Sequence, residues 1–240
     1  MTEDNLEEKK GEHEKHPKQD FQVERLAFFS DAVFAIAITL LIVEFKVPHI
    51  TDTSTVDDVL KQLSDLKYNF IAILFSFFII AVFWSDHHLL FKHIHNYNKQ
   101  IVIANMFVLL PIIFFPFTTT FWAECLGSLN FAEHSGNVDS EVLSLGLRFF
   151  SLNVFFAALA IFIFYWIAIV KYKDMSFKMA TQDKIKFVSA ALFKTTFFGI
   201  MFVITFIPNI TIFIILPLLI VAVLYRIYRK RLGRIIDTGS

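Results

Sequence analysis

Apolar residues run through this chain in blocks of about twenty, the length at which a helix crosses a hydrocarbon core, with short polar stretches between them. Six blocks stand out, at 26–45, 68–91, 101–123, 145–170, 185–207 and 210–228. Lys46 and Pro48 close the first, and Pro208-Asn209 alone separates the last two, which predicts a tight helical hairpin there. Pro111, Pro116 and Pro217 fall inside blocks. Membrane helices accommodate such kinks where neighbours satisfy the freed carbonyls. The pattern predicts an all-α, polytopic membrane protein with six transmembrane helices. Residues 1–24 form an acidic polar tail, 25–230 the six-helix transmembrane domain and 231–240 a short C-terminal tail.

Composition sharpens this picture. Of 240 residues 56% are apolar, 31 are Phe and only 18% are charged, too few charges for an ordinary soluble domain. Lys+Arg and Asp+Glu balance at 22 each, so no global basic field points to nucleic acid. A single cysteine, Cys125, excludes an internal disulfide framework, and seven glycines leave no room for a glycine-rich phosphate loop. A secretory signal would follow a basic start at once with an apolar run. The first 24 residues instead hold eight acids, four lysines, His13 and His16, so the first apolar block is expected to be retained.

Where the charges sit sets the orientation. The connections after the second, fourth and sixth blocks carry twelve basic residues, among them Lys92, Lys99, Lys171, Lys184, Lys186 and the run from Arg226 to Arg234. The other side has Lys46, Lys61, Lys67 and Arg148. This bias places both chain ends in the cytoplasm. The outer segments are acidic, with Asp52, Asp57, Asp58, Asp65, Glu124, Glu133, Asp139 and Glu141. They read first as solvated loops, and they also lend the entrance a mild negative potential that concentrates cations.

Polar groups inside a span cost about 3 kcal/mol for a charge at mid-helix, so each one marks a function or an obligatory partner. The first block opens Arg25-x-x-x-Phe29-Ser30-Asp31. At 100° per residue, Ile36, Thr39, Leu40 and Val43 then form a stripe about 100° wide, with Asp31 roughly 140° from Ile36. The acid and the aliphatic stripe therefore face different neighbours. The ordinary reading of such a stripe is packing against an adjacent helix. In the second block, Trp84 lies on one face with His87 and His88 through spacings of three and four, so indole, imidazole and the Asp31 carboxylate are expected to meet in a buried hydrogen-bond cluster. The rival reading is a metal site built from these histidines and Asp86. The third block offers Asn105 in place of another strong ligand, and no H-E-x-x-H pattern occurs, so no metal is assigned. His93 and His95 are expected in water at the membrane boundary. Lys194, eight or nine residues inside the fifth block, either snorkels or faces a partner.

Several machines are excluded by missing parts. There is no Thr-Val-Gly-Tyr-Gly type loop for a carbonyl filter, no arginine at every third position, no P-loop and no nucleophile elbow. An enzyme is not expected.

The opening string Arg25-x-x-x-Phe29-Ser30-Asp31, heading the first of six spans, resembles the signature of the transmembrane protein 175 family of potassium-permeable channels, in its bacterial branch with one six-helix unit. The resemblance implies a homotetramer in the bacterial plasma membrane whose first helices line a pore on the symmetry axis. It implies a constriction of bulky apolar side chains at Ile36, Thr39, Leu40 and Val43. It also implies a network of Arg25, Phe29, Ser30, Asp31, Trp84, His87, His88 and Asn105 that anchors the first helix. No cofactor is implied beyond the permeant K⁺, and the partners are monovalent cations and membrane lipids. The alternative from another class is a proton- or metal-coupled secondary transporter using Asp31, Asp86, His87 and Lys194.

Overall fold

The computed structural model describes residues 17–43, 48–94, 96, 98–135, 140–172 and 180–207. The sixth apolar block, the basic run at 226–234, the C-terminal tail, most of the N-terminal tail and His95 lie outside them. All described elements are helices: α1 (Pro17–Val43), α2 (Val56–Asp65), α3 (Lys67–Phe91), α4 (Lys99–Ser135), α5 (Ser140–Tyr165), continued by one π-helical turn at Trp166–Lys171, and α6 (Thr181–Ile204). Five segments are long and apolar enough to cross a membrane. They match the first five expected spans, and the chain is a multi-pass membrane protein.

Three boundaries differ from the sequence reading. α1 begins at Pro17, inside the stretch read as polar tail. Proline suits the first turn of a helix, and Val23, only 6% exposed, continues the buried face of α1 one heptad before Ser30. The connection between the first two spans, read as loop, contains α2, capped by a reciprocal pair: the Asp58 N–H donates to Thr55 Oγ1 at 3.2 Å while the Thr55 N–H donates to Asp58 Oδ2 at 2.9 Å. α4 runs for 37 residues straight through Pro111 and Pro116. That is about 55 Å at ~1.5 Å per residue, so it projects well beyond a ~30 Å hydrocarbon core. A partner supports the proline region, where the Asn153 amide of α5 donates to the Pro111 carbonyl at 3.1 Å.

α4 is the hub, packed on α1, α3 and α5, and α6 lies against α5. Lipid tails are as apolar as leucine, so close packing and interhelical hydrogen bonds hold such a bundle together. Phenylalanine does much of the filling: Phe34, Phe83, Phe115 and Phe164 are all under 2% exposed, and Trp122 stacks on Phe150 at 4.7 Å. α4 and α5 approach closely at Gly146, where a Cβ would stand 2.6 Å from Cys125 Cβ. The outer surface is apolar as well, with Phe28, Phe70, Phe78, Phe107 and Phe117 all more than half exposed, as a lipid-facing protein requires.

Candidate functional site

α1 buries one face and presents another. Val23, Ser30, Phe34, Ala37 and Leu41 turn inward, at spacings of seven, four, three and four, and pack on α3 and α4. Ile36 is 57% exposed, Leu40 43% and Val43 70%, with Thr39 exposed beside them. The Thr39 hydroxyl donates back to the Ile36 carbonyl at 2.9 Å, which satisfies it within the helix.

A directed chain of hydrogen bonds ties the buried face to the bundle. The Ser30 hydroxyl donates to the Leu26 carbonyl at 2.9 Å, so its oxygen is left to accept from the Asn105 amide nitrogen at 2.8 Å. That fixes the amide, whose oxygen then accepts from His87 Nε2 at 2.7 Å. The proton on His87 therefore sits on Nε2. Nδ1 is buried without a partner among the rings of Phe34, Phe91 and Phe164, whose centroids lie 4.7 to 5.9 Å away. Ser30, His87 and Asn105 are each at most 1% exposed. Three helices, α1, α3 and α4, meet at this one amide.

Asp31 belongs to a separate group. Trp84 donates from Nε1 to Asp31 Oδ1 at 2.9 Å and stacks on His88 at 5.4 Å, with Trp84 itself 40% exposed. The single buried cluster expected of indole, both imidazoles and the carboxylate is thus divided. Adjacent helical residues diverge by 100°, so Ser30 and Asp31 point to different neighbours, as do His87 and His88. The two adjacent pairs meet in register, Ser30 with His87 through Asn105 and Asp31 with His88 through Trp84. Arg25 and Phe29 lie on the exposed side of α1, Phe29 at 51%. Arg25 is about 140° from Ser30 around the helix, which accounts for its position.

Lys194 of α6 has a partner in Asp86, bonding and ion-pairing with its Oδ2, while Tyr165 of α5 donates to the Asp86 backbone carbonyl at 2.7 Å. Asp86 thereby joins α3, α5 and α6. The sequence holds only a partial hint of the pairing: Asp86 stands five residues before the end of its span and Lys194 nine residues after the start of its own, both toward the same side of the membrane. Two hydroxyl contacts carried no clear sequence signal, Thr119 donating to Ser76 at 2.7 Å and Thr195 donating to the Ala158 carbonyl at 3.0 Å. His93, expected in water, is half-buried, with Nδ1 at 2.9 Å from the Leu89 carbonyl and its ring 5.4 Å from Phe187. Asp31, His87 and the Asp86–Lys194 pair, the residues a coupled transporter would use, fall in three separate hydrogen-bonded groups. Among the described residues no group of three or more His, Cys, Asp or Glu is placed to hold a metal ion.

Comparison with known proteins bears out the resemblance read from the first helix. Residues 25–116, which run from within α1 through α2 and α3 to the middle of α4, match the family model described as endosomal/lysosomal potassium channel TMEM175. A potassium channel of Chryseobacterium sp. (strain P1-3) is 33% identical over 110 residues, covering 46% of this chain and 52% of the relative. A potassium channel of Chamaesiphon minutus is 41% identical over 102 residues, covering 42% and 50%. The chain thus spans about half the length of the curated relatives it matches. The fold is similar to the crystal structure of a lysosomal potassium-selective channel TMEM175 homolog from Chamaesiphon minutus, with a TM-score of 0.67 over 85% of this chain and 97% of that one, at 24% identity.

Proposed function

We propose that this chain is a subunit of a TMEM175-type potassium-permeable channel of the plasma membrane, a homotetramer whose four copies of α1 surround a pore. The observation that carries this reading is the division of α1. One face is locked to α3 and α4 through Ser30, Phe34, Ala37 and Leu41, and the opposite stripe of Ile36, Thr39, Leu40 and Val43 is left to the outside of the protomer, next to the matched signature. A ring of four isoleucines closes the path by excluding water, and a small rotation or splaying of α1 admits a partly hydrated cation. K⁺ passes ahead of Na⁺ because it gives up hydration water at lower cost. The discrimination is modest, since no carbonyl ring replaces the lost shell. The acidic outer connections, Asp52, Asp57 and Asp58 among them, raise the local cation concentration at the mouth.

Recording from purified protein in planar bilayers, with K⁺ on one side and Na⁺ on the other, tests the reading. Unitary currents are expected with a reversal potential displaced toward that of K⁺. Ile36→Asn wets the constriction and is expected to enlarge the currents or shrink that displacement. Unitary currents that Ile36→Asn leaves unchanged overturn the assignment of the stripe, and saturable flux without unitary currents overturns the channel.

A further inference from the structure

A groove of about 840 Å³ runs between α4 and α5 on the outside of the bundle. Its α4 wall extends from Gln100 through Ile103 and Phe107 to Phe114. That is about 21 Å at ~1.5 Å per residue, enough to cover the ~15 Å depth of one leaflet of a ~30 Å core and reach its headgroups. Phe156 and Ile163 line the α5 wall. Asn153, the polar side chain deep in this lining, is committed through its amide nitrogen to the Pro111 carbonyl and the Thr118 hydroxyl. The rest of the deep lining is apolar.

Polarity collects at one end only. There the π-helical turn brings Lys171 and Tyr172 over Gln100, whose Oε1 accepts from Lys171 Nζ at 2.9 Å and from the Tyr172 hydroxyl at 2.6 Å. One carboxamide oxygen holds both donors in place. Further protons of the ammonium and the NH₂ of Gln100 remain for an anionic acceptor. Lys92 and Lys99 stand exposed at the same basic end. An apolar slot one leaflet deep, with a fixed cation and amide donors at its mouth, has the charge and shape complementary to a lipid with a negative headgroup.

We propose that this groove is a binding site for an anionic phospholipid, with an acyl chain between α4 and α5 and the phosphate at Lys171 and Gln100. The proposal rests on the chain being a membrane protein and not on what it conducts, so the lipid measurement and the ion-flux measurement fail independently.

The test uses the purified full-length chain, stripped of lipid in detergent and titrated with palmitoyl-oleoyl phosphatidylglycerol or the phosphatidylcholine of the same chains, with bound lipid read by native mass spectrometry. Phosphatidylglycerol is expected to bind the tighter. Lys171→Gln is expected to weaken it about fivefold, the effect of one cation near an anionic lipid surface. Lys184→Gln, at the same end but outside the groove, is expected to leave it unchanged. Ala160→Trp, filling the slot from its wall, is expected to weaken both lipids. A benzophenone amino acid in place of Phe107 is expected to cross-link to lipid. Equal binding of the two lipids, equal effects of Lys171→Gln and Lys184→Gln, or cross-links from position 107 to residues 208–240 or to a second copy each overturn the proposal.

Discussion

Replacing Asn105 by leucine keeps nearly the same volume at the junction of α1, α3 and α4 and removes both of its hydrogen bonds. The Ser30 side loses little, because that hydroxyl still donates to the Leu26 carbonyl. An interhelical bond of this kind contributes about 0.6 kcal/mol on average in a membrane. The His87 side loses more. Its Nε2 proton is stranded in a site 1% exposed, beside an Nδ1 that already lacks a partner, and an orphaned buried donor costs about 1–3 kcal/mol. Asn105→Leu should therefore destabilise the protein by about 2–3.5 kcal/mol. Ser30→Ala leaves the His87–Asn105 contact in place but removes both bonds of the hydroxyl and orphans one buried Asn105 N–H, so it should cost about 1–3 kcal/mol. The double variant should fall short of the sum by at least about 0.6 kcal/mol, because both single changes remove the same bond and the double variant leaves no Asn105 N–H to orphan. Reversible unfolding in mixed micelles, titrated with dodecyl sulfate and followed by helical ellipticity, gives all three values. If the two effects simply add, the directed chain from Ser30 to His87 is wrong.

Three further changes probe other joints. Gly146→Ala forces a methyl to within 2.6 Å of Cys125 Cβ and 3.2 Å of the Trp122 Cα, so it should cost about 1–3 kcal/mol in the same unfolding assay. Gly127→Ala, with nothing within 4 Å, should be neutral or slightly stabilising, and equal effects at the two glycines would refute the close approach. Lys194→Met deprives the partly buried Asp86 carboxylate of its cation and should cost about 1–3 kcal/mol, less than a fully buried pair would. Adding Asp86→Asn should restore most of the loss, and a double variant as unstable as Lys194→Met alone would contradict the pairing. Asp31→Ala removes the acceptor for Trp84 Nε1 and should impair assembly or opening more than ion preference, whereas Asp31→Asn, which keeps a carbonyl oxygen there, should retain most function. Normal oligomer stability and open probability in Asp31→Ala, measured by size-exclusion melting and bilayer recording, would contradict that role.

The spans were legible because twenty-residue apolar blocks have few other uses, and the polar residues inside them were legible because each costs free energy unless partnered. What the sequence left open was which polar residue meets which. Spacing put Trp84, His87 and His88 broadly on one side of α3, yet a difference of 100° is enough to send His87 to Asn105 and His88 to the Asp31 side. Resolving that requires the rotation of α1 against α3, which depends on packing at Phe34, Phe83 and Leu41 and not on local pattern. α2 escaped notice because its ten residues, with three aspartates and a lysine, are too few and too polar for a span, although Val56, Val59, Leu60 and Leu63 keep the helical spacing i, i+3, i+4, i+7 behind the Thr55–Asp58 cap. The early start of α1 escaped for a similar reason, since polar Gln22 and Glu24 flank the buried Val23.

Exposure alone does not separate a pore face from a lipid face, since Ile36 at 57% and Phe107 at 62% are equally bare on the protomer. Side-chain type does separate them. The apolar surface elsewhere is crowded with phenylalanine, at positions 70, 77, 78, 107, 114 and 117, as suits contact with disordered acyl chains. The stripe of Ile36, Thr39, Leu40 and Val43 contains no ring, in a chain with 31 phenylalanines, and includes a hydroxyl already satisfied by its own helix. Four copies of a phenylalanine meeting on an axis would plug it with rings that have room for few rotamers. Four β- or γ-branched aliphatics close the same space with side chains that a small turn of the helix withdraws. The proposed pore stretch is thus free of rings from Ile36 to Val43, while Phe29, half exposed on the same face one heptad earlier, lies outside it.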